Sequence, residues 1–458
     1  MANNRFKNKK IAVLGFGLEG RDAVSYLLKR NADITVYDKK EKQKLNFTGI
    51  KHEKVKFVCG KDYLSGGLKG YDLIVRSPGV YRFLPEIVDA EKKGIQMTSP
   101  IKIFFDHCPA KIIGVTGTKG KGTTSTLIYK ILKNSGFKVF LAGNIGTPVL
   151  QLLPKLDKKS WAVLELSSFQ LIDLTKSPHI AVVLNITEDH LDWHKDKDEY
   201  VNSKIRIVKY QKENDFAVLN SDYPEWKNFE SNTRAMVYWF STKTQPPGCF
   251  VDKDGEIKVF WGDSEEDVGR VSKLLLRGKH NWENVCAAVC AARIAGASLK
   301  AVKETVFSFA GLEHRLEPAG EVRGVKFIND SFSTNPQTTI AAIASFDEPL
   351  TLILGGSDKG LNYDEMAREI AKRQNIVNVV LIGDIAKILK KSISKAEYKG
   401  QILEFGKRNI KDVVKKCFVL TPRGGVVLLS PGTASFDMFT DYKDRGSQFK
   451  KAVLLLKN

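Results

Sequence analysis

Short runs of apolar residues alternate with stretches whose apolar positions recur at helical spacing along nearly the whole chain. That alternation predicts βαβ units, parallel strands covered on both faces by the helices between them. Residues 11–14 predict the first strand and residues 22–30 the helix that follows, joined by Gly15-Phe16-Gly17-Leu18-Glu19-Gly20 as a tight turn. Residues 34–37 predict a second strand ending at Asp38, and residues 73–75 a third running into Arg76-Ser77-Pro78-Gly79. Ser99-Pro100 reads as a link to a new domain, and a second strand–loop–helix opens at Lys111 with Ile112-Ile113-Gly114-Val115.

Residues 162–166 and 180–184 predict further strands. Residues 220–275 are richer in turns and aromatics and suggest a small β-rich insertion. Residues 281–295 predict a helix, and Gly311-Leu312 a boundary. In the last third, strands are expected at 326–328, 350–354, 377–382 and 426–429, each followed by Gly, Ser or Asn. In α/β proteins ligands sit beyond the carboxyl ends of such strands.

At 458 residues the chain suggests two to four domains, three being the central expectation, at roughly 100–200 residues per domain. Hydrophobic residues make up 43%, enough for packed cores, and no apolar stretch approaches the ~20 residues of a membrane span. The polar, basic start leads straight into a strand and lacks an apolar signal core. The six cysteines, Cys59, Cys108, Cys249, Cys286, Cys290 and Cys417, form no CxxC pair. Cys286 and Cys290 lie one helical turn apart in an Ala-rich stretch and read as core residues. A reducing cytoplasm is the expected location, and a monomer the default state. The formal charge of +20 raises nucleic-acid binding, but the lysines are dispersed, with no basic run or basic–aromatic repeat. Anionic small-molecule substrates account for the charge more simply, with no nucleic-acid or membrane partner.

The strongest chemical signal is Gly114-Val115-Thr116-Gly117-Thr118-Lys119-Gly120-Lys121-Gly122-Thr123-Thr124, after a buried strand and at the start of a helix. Backbone N–H groups of such a loop cradle phosphates, and Lys121 would reach the β- and γ-phosphates of ATP. A hydroxyl after that lysine holds Mg²⁺ in the usual pattern; Gly122 occupies the next position, so Thr123 is the candidate, with Thr124 behind it. A P-loop also needs a distant acid, and Glu165 ends the apolar run Trp161-Ala162-Val163-Leu164-Glu165. The bland alternative for Glu165 is a surface acid at a strand end. Asn185-Ile186-Thr187-Glu188-Asp189-His190-Leu191-Asp192 packs acids and a histidine beyond the next strand, a metal or phosphate site or else a solvated loop. The Gly15–Gly20 loop with Asp38 matches a dinucleotide-binding fingerprint. A hydride-transfer enzyme has no need of a second phosphate loop, so a Rossmann-like fold holding another nucleotide is the better reading.

Together these residues resemble the Mur ligase family, ATP-dependent amino-acid ligases of peptidoglycan precursor synthesis. The resemblance runs from Gly15 to Gly446. Three segments narrow it to the branch that adds D-glutamate to UDP-N-acetylmuramoyl-L-alanine: Leu164-Glu165-Leu166-Ser167-Ser168-Phe169-Gln170-Leu171, Gly143-Asn144-Ile145-Gly146 and Leu429-Ser430-Pro431-Gly432-Thr433-Ala434-Ser435-Phe436-Asp437. The family implies an α/β chain of three domains. These are an N-terminal Rossmann-like domain for the UDP sugar (1–105), a central P-loop ATPase domain with a mostly parallel sheet (106–312), and a C-terminal Rossmann-like domain for the amino acid (313–458).

By this resemblance Leu18, Glu19, Asp38, Lys39, Ser77, Pro78 and Gly79 would hold the uridine diphosphate, and Asn144 and Gln170 the sugar-peptide arm. Gly117, Thr118, Lys119, Gly120, Lys121, Gly122, Thr123, Thr124, Asn281, Arg315 and Asp330 would bind ATP. Thr123 and Glu165 would serve one Mg²⁺. His190 and Lys204, the latter matching a lysine that the family carbamylates, would serve a second. Without the family Lys204 is one of many helix-surface lysines. Thr334, Lys359, Ser435, Phe436 and Tyr442 match positions for the incoming glutamate. Lys121, His190, Lys204 and Lys359 carry the expected catalysis, and the C-terminal domain is expected to close on the central one when substrates bind. Phe332 departs from the branch, standing where a lysine is common. Gly122 after Lys121, with Lys119 before Gly120, resembles instead the related folylpolyglutamate synthetases, the runner-up ligase; a nucleic-acid-stimulated P-loop ATPase is the alternative outside the superfamily.

Overall fold

The computed structural model describes residues 4–144, 146–187, 189–190, 193–276 and 278–456. Ile145, Glu188, Leu191 and Asp192 of the motifs above lie outside the described residues. Two compact units emerge: the chain to Leu274 together with Lys279–Ser308, and Leu275–Gly278 together with the chain from Phe309 onward.

The first unit carries two sheets. One has the strand order Val55–Cys59, Asp33–Asp38, Lys10–Leu14, Leu73–Arg76, Gln96–Thr98, all parallel. Its three central strands are buried almost throughout because both of their faces are covered, whereas the two edge strands are partly exposed. The predicted turn is shorter than the sequence suggests: the helix Leu18–Leu28 already includes Leu18, Glu19 and Gly20. Only Gly15 to Gly17 make the turn, with Gly15 at φ 84°. Gly20 is required there, since a Cβ on it would lie 1.9 Å from the Gly15 carbonyl oxygen. Ser99-Pro100 is not a bare link. The Ser99 hydroxyl accepts from Lys102 N–H and caps the helix Pro100–His107, with proline at its favoured first turn.

The other sheet has nine strands: Glu265–Arg270, Glu256–Phe260, Gly248–Val251, Met236–Ser241, Phe216–Asn220, Ile180–Val183, Lys111–Thr116, Trp161–Glu165, Val139–Gly143. It is parallel except at Gly248–Val251, Glu256–Phe260 and Glu265–Arg270, which pair antiparallel. The expected β-rich insertion is therefore an extension of this sheet, because Gly248–Val251 pairs in parallel with Met236–Ser241. One apolar cluster runs from Val13 and Leu27 through Phe104 and Leu150 to Leu164 and Ala181, so the two sheets share a core. Cys286 and Cys290 are buried in the helix His280–Ile294, as core residues.

The second unit holds a six-stranded sheet ordered Glu317–Val322, Val325–Asn329, Val426–Leu429, Leu350–Gly355, Ile376–Ile382, Gln401–Gly406, parallel except for the first pair. The strands Glu317–Val322 and Gln401–Gly406 escape the sequence reading because both are partly exposed and broken by polar residues. No helix among the described residues is long and apolar enough to cross a membrane.

Candidate functional site

The phosphate loop forms where the strand Lys111–Thr116 meets the helix Lys121–Asn134. Gly117 and Gly120 have φ 157° and 83°, and a Cβ on Gly120 would lie 2.1 Å from Asn284 Oδ1. Only glycine lets the loop turn that tightly and still lean on the helix His280–Ile294. The helix Lys121–Asn134 starts at this loop, and the first N–H groups of any α-helix have no carbonyl partner within it, which suits them to an anion. Lys121 Nζ folds back to the carbonyls of Gly117 and Thr118, both at 2.9 Å. Thr118 is tied down by its neighbours: its hydroxyl lies 2.9 Å from Tyr200 OH and donates to the Thr187 carbonyl at 3.0 Å. Thr123 and Thr124 are buried and Lys119 is exposed. Asn281 reaches the loop through Asn284, which donates to Asn281 Oδ1 at 2.9 Å and faces Thr124 Oγ1 at 3.3 Å.

Glu165 is buried, not a surface acid. Its Oε1 accepts from Asn144 Nδ2 at 2.9 Å, while its Oε2 is buried with no hydrogen-bond partner. Lys204 is likewise no surface lysine. The helix Lys197–Lys209, capped by Asp196, turns Tyr200, Lys204, Ile207 and Val208 onto one buried face. Lys204 is 1% exposed, and its Nζ donates to the Gly117 carbonyl at 3.0 Å and faces Thr116 Oγ1 at 3.4 Å. Burial, with Lys121 nearby, pushes its amine well below the ordinary lysine range. The structure thus gathers the loop, Asn144, Glu165, Lys204 and Asn281 into one centre.

His190 sits at φ 55°, exposed, with Nε2 3.5 Å from Asp189 Oδ2 and its ring 4.8 Å from that of Phe169. His194, which the sequence reading passed over, is fully buried; Nε2 lies 2.9 Å from Ser168 Oγ and Nδ1 3.1 Å from Glu199 Oε1. Burial lowers its pKa below the usual imidazole value.

In the first sheet, Asp38 is already occupied by the backbone, accepting from Phe16 N–H at 2.7 Å and Lys40 N–H at 2.8 Å. Ser77 Oγ donates to the Gly15 carbonyl at 2.9 Å, locking the two glycine-bearing turns together. Leu18, Lys39 and Gly79 are exposed, and Pro78 is half-buried. Gln170 bridges the sheets: its Oε1 closes a capping box with Ser167, and its Nε2 donates to Glu19 Oε1 at 2.7 Å. Burial pushes the Glu19 carboxyl up to about 7.

The remaining predicted residues belong to the second unit. Asp330 is buried beyond the strand Val325–Asn329; Ser333 and Ser430 hydroxyls donate to its Oδ2 at 2.5 and 2.8 Å, and Leu316 N–H to its Oδ1 at 3.1 Å. Phe332 accounts for its own departure: the exposed Arg315 guanidinium lies 4.4 Å over its ring, and Tyr442 packs edge-on at 5.2 Å. A cation therefore still stands beside that position, supplied by Arg315. Ser435 is buried, Thr334 half-buried, and Lys359 and Phe436 exposed on loops. Arg445, unremarked in the sequence, fixes these loops. Fully buried, it donates to Ser331 Oγ and the carbonyls of Ser331, Thr433 and Ala434 at 2.9 to 3.3 Å. An arginine in the first turn of the helix Tyr442–Leu454, on the buried face with Phe449, Ala452 and Val453, was the available signal.

Burial pushes the Asp330 carboxyl up to about 6. Folding thus favours its protonated form, so the stability this group contributes is whole below about pH 4 and is lost as pH rises through about 6. Asp330→Asn removes that dependence. Between about pH 4 and about pH 7.5 its urea midpoint should move in the variant's favour, against wild type, by the equivalent of ~2 kcal/mol. Parallel profiles for the two proteins would contradict this.

Comparison with known proteins extends the likeness over the whole chain. The Mur ligase middle domain matches residues 115–292, the Mur ligase MurD-like N-terminal domain residues 9–99, and the Mur ligase glutamate ligase domain residues 314–432. The UDP-N-acetylmuramoylalanine--D-glutamate ligase of Acetivibrio thermocellus is 40% identical over 455 residues, 98% of this chain and 97% of that protein. The protein of the same name from Ruminiclostridium cellulolyticum is 38% identical over 457 residues, with 98% and 97% covered. Among solved structures, MurF from Acinetobacter baumannii gives a TM-score of 0.59 at 15% identity, covering 100% of this chain and 93% of that one. MurC, the UDP-N-acetylmuramate-alanine ligase from Thermotoga maritima, gives 0.56 at 16%, covering 98% and 100%. At those identities the structural likeness is one of fold. With three family domains matched in order and 40% identity held over nearly its full length, the chain belongs to the Mur ligase family.

Proposed function

We propose that the protein is an ATP-dependent ligase that joins D-glutamate to UDP-N-acetylmuramoyl-L-alanine through an acyl phosphate. One observation carries this reading: a glycine-rich loop at a helix start, backed by the buried Glu165 and Lys204, stands in a chain that is alike, almost end to end, to relatives bearing the name of that ligase. Residues 1–105 hold the sugar nucleotide, 106–312 the ATP and 313–458 the amino acid. The six free thiols suit a reducing cytoplasm.

The chemistry follows from the groups in place. A carboxylate is unreactive toward an amine because its leaving group would be an oxide. Attack of that carboxylate oxygen on the γ-phosphorus of ATP releases ADP and installs phosphate as a leaving group. Lys121 and the first N–H groups of its helix meet the negative charge on the phosphate oxygens. Glu165, with one oxygen backed by Asn144 and the other without a hydrogen-bond partner, is the kind of hard donor that Mg²⁺ takes, and Thr123 on the loop's helix would add a hydroxyl. Glu165 and Thr123 would hold one Mg²⁺, and His190 with a carbamate on Lys204 a second; when bound, these ions would supply further charge neutralisation. The depressed pKa of Lys204 supports the carbamate, because only a neutral amine adds to carbon dioxide. Lys359 holds a glutamate carboxylate as a point charge, and Ser435, Thr334, Phe436 and Tyr442 line the amino-acid site. The glutamate amine then attacks the activated carbonyl and the tetrahedral intermediate expels phosphate.

The test is product analysis by mass spectrometry, with ATP, Mg²⁺, UDP-N-acetylmuramoyl-L-alanine and a panel of amino acids. A glutamyl adduct formed from D-glutamate alone is expected. An adduct from L-glutamate alone would overturn the stereochemical assignment, and no adduct from any amino acid would overturn the ligase.

A further inference from the structure

Arg76, with Arg445 one of the two largest fully buried side chains among the described residues, stands at the carboxyl end of the strand Leu73–Arg76. Its guanidinium bridges the two sheets of the first unit. Toward the N-terminal sheet, Nη1 faces the carbonyls of Ser77, Pro78 and Val80 at 3.3, 3.4 and 2.5 Å. Toward the nine-stranded sheet, Nη2 donates to the Phe169 carbonyl at 2.7 Å and to Asp173 Oδ2 at 2.6 Å, and Nε to the same oxygen at 3.1 Å. Arg82 holds the other oxygen of Asp173 at 3.1 Å and pairs with Glu91.

A buried charge is costly, and an apolar residue of similar volume would serve packing as well or better. What an apolar residue cannot do is grip the backbone of two segments at once. The planar fork of arginine presents donors in several directions from a single rigid group. Here the two segments are 77–80, carrying Ser77, Pro78 and Gly79, and 167–173, carrying Gln170. Phe169, whose carbonyl Arg76 holds, also packs its ring against His190 and His194.

We propose that Arg76 is a positioning residue for the sugar nucleotide: it sets the 77–80 loop, beside the diphosphate, in register with Gln170, beside the sugar-peptide arm. It touches neither ATP nor the reacting carbonyl. The inference rests on the proposed ligase function and adds to it a residue that acts through the backbone.

The experiment compares Arg76→Lys and Arg82→Gln with wild type in steady-state phosphate release, with thermal unfolding run alongside. Lysine keeps the charge but cannot span both segments. The KM for UDP-N-acetylmuramoyl-L-alanine is expected to rise about tenfold or more in Arg76→Lys, while the KM for ATP and kcat change less than about threefold. Arg82→Gln loses bonds to Asp173 and Glu91 but none to the carbonyls, so it lowers Tm and leaves that KM unchanged. An unmoved KM in Arg76→Lys, with Tm lowered as in Arg82→Gln, overturns the positioning role and leaves a merely structural one. Should Arg76→Lys fail to fold, Asp173→Asn removes the anchor without altering shape, and a raised sugar-nucleotide KM is again the expected result and an unchanged one the overturning result. Wild-type protein that shows no saturation by the sugar nucleotide would overturn the ligase function itself, a different failure.

Discussion

Lys121→Ala is expected to lower phosphate release by about 10³-fold, roughly 4 kcal/mol of transition-state stabilisation. The lysine stands at the first position of the helix Lys121–Asn134, and its ammonium lies over the loop it crosses, 2.9 Å from the Gly117 and Thr118 carbonyls. In the proposed mechanism, charge on the phosphoryl oxygens would be met there by the Lys121 cation and by fixed backbone N–H groups, with Mg²⁺ beside them. Removing the cation leaves the fixed groups, so nucleotide binding should weaken less than turnover. Isothermal titration with a non-hydrolysable ATP analogue, run beside the rate assay, separates the two. A variant that loses binding and turnover in equal measure would mean that Lys121 only tethers ATP.

Lys204→Met should lose at least about 10²-fold in turnover without losing stability. The sign follows from burial. Burial disfavours the protonated amine in the folded chain and lowers its pKa, whereas the unfolded chain keeps it protonated up to about pH 10.4. Through this group folding costs free energy below the unfolded pKa, a cost that grows as pH falls toward the depressed folded value and vanishes above the unfolded one. Methionine fills similar space with no proton to lose, so the urea midpoint at neutral pH should hold or rise. An ordinary structural residue would give the reverse, lower stability with activity kept. Turnover within about threefold of wild type would remove Lys204 from the mechanism.

These two lysines also show what the sequence makes legible. Lys121 is readable because its work is local: a strand, a glycine-rich turn and a helix start are all adjacent in the chain, and Gly117 and Gly120 are needed by the loop's own geometry. Glu165 is half readable, since an acid ending an apolar strand is a pattern, but its bond to Asn144 comes from the neighbouring strand. Lys204 is legible only through family resemblance, although its helix offered a hint: Tyr200, Lys204, Ile207 and Val208 share a face, and a lysine on an apolar face is unusual. Arg76 and Arg445 went unread because most of their partners are backbone carbonyls, which leave no trace in residue identity, and the side chains they hold, Asp173 and Ser331, are far away in the chain. The N-terminal turn was overextended because Leu18 and Glu19 suit a loop as well as a first helical turn. The strands at the edge of the nine-stranded sheet looked like an insertion because the sequence shows that they are strands but not which strands they join.

The central claim is that ATP cleavage is coupled to joining two particular substrates, and phosphate release in defined mixtures tests it most directly. With ATP and Mg²⁺ present, release should require UDP-N-acetylmuramoyl-L-alanine and D-glutamate together, and should stay at background with either alone or with DNA or RNA in their place. Release that proceeds without the sugar nucleotide, or that nucleic acid stimulates, would contradict the account.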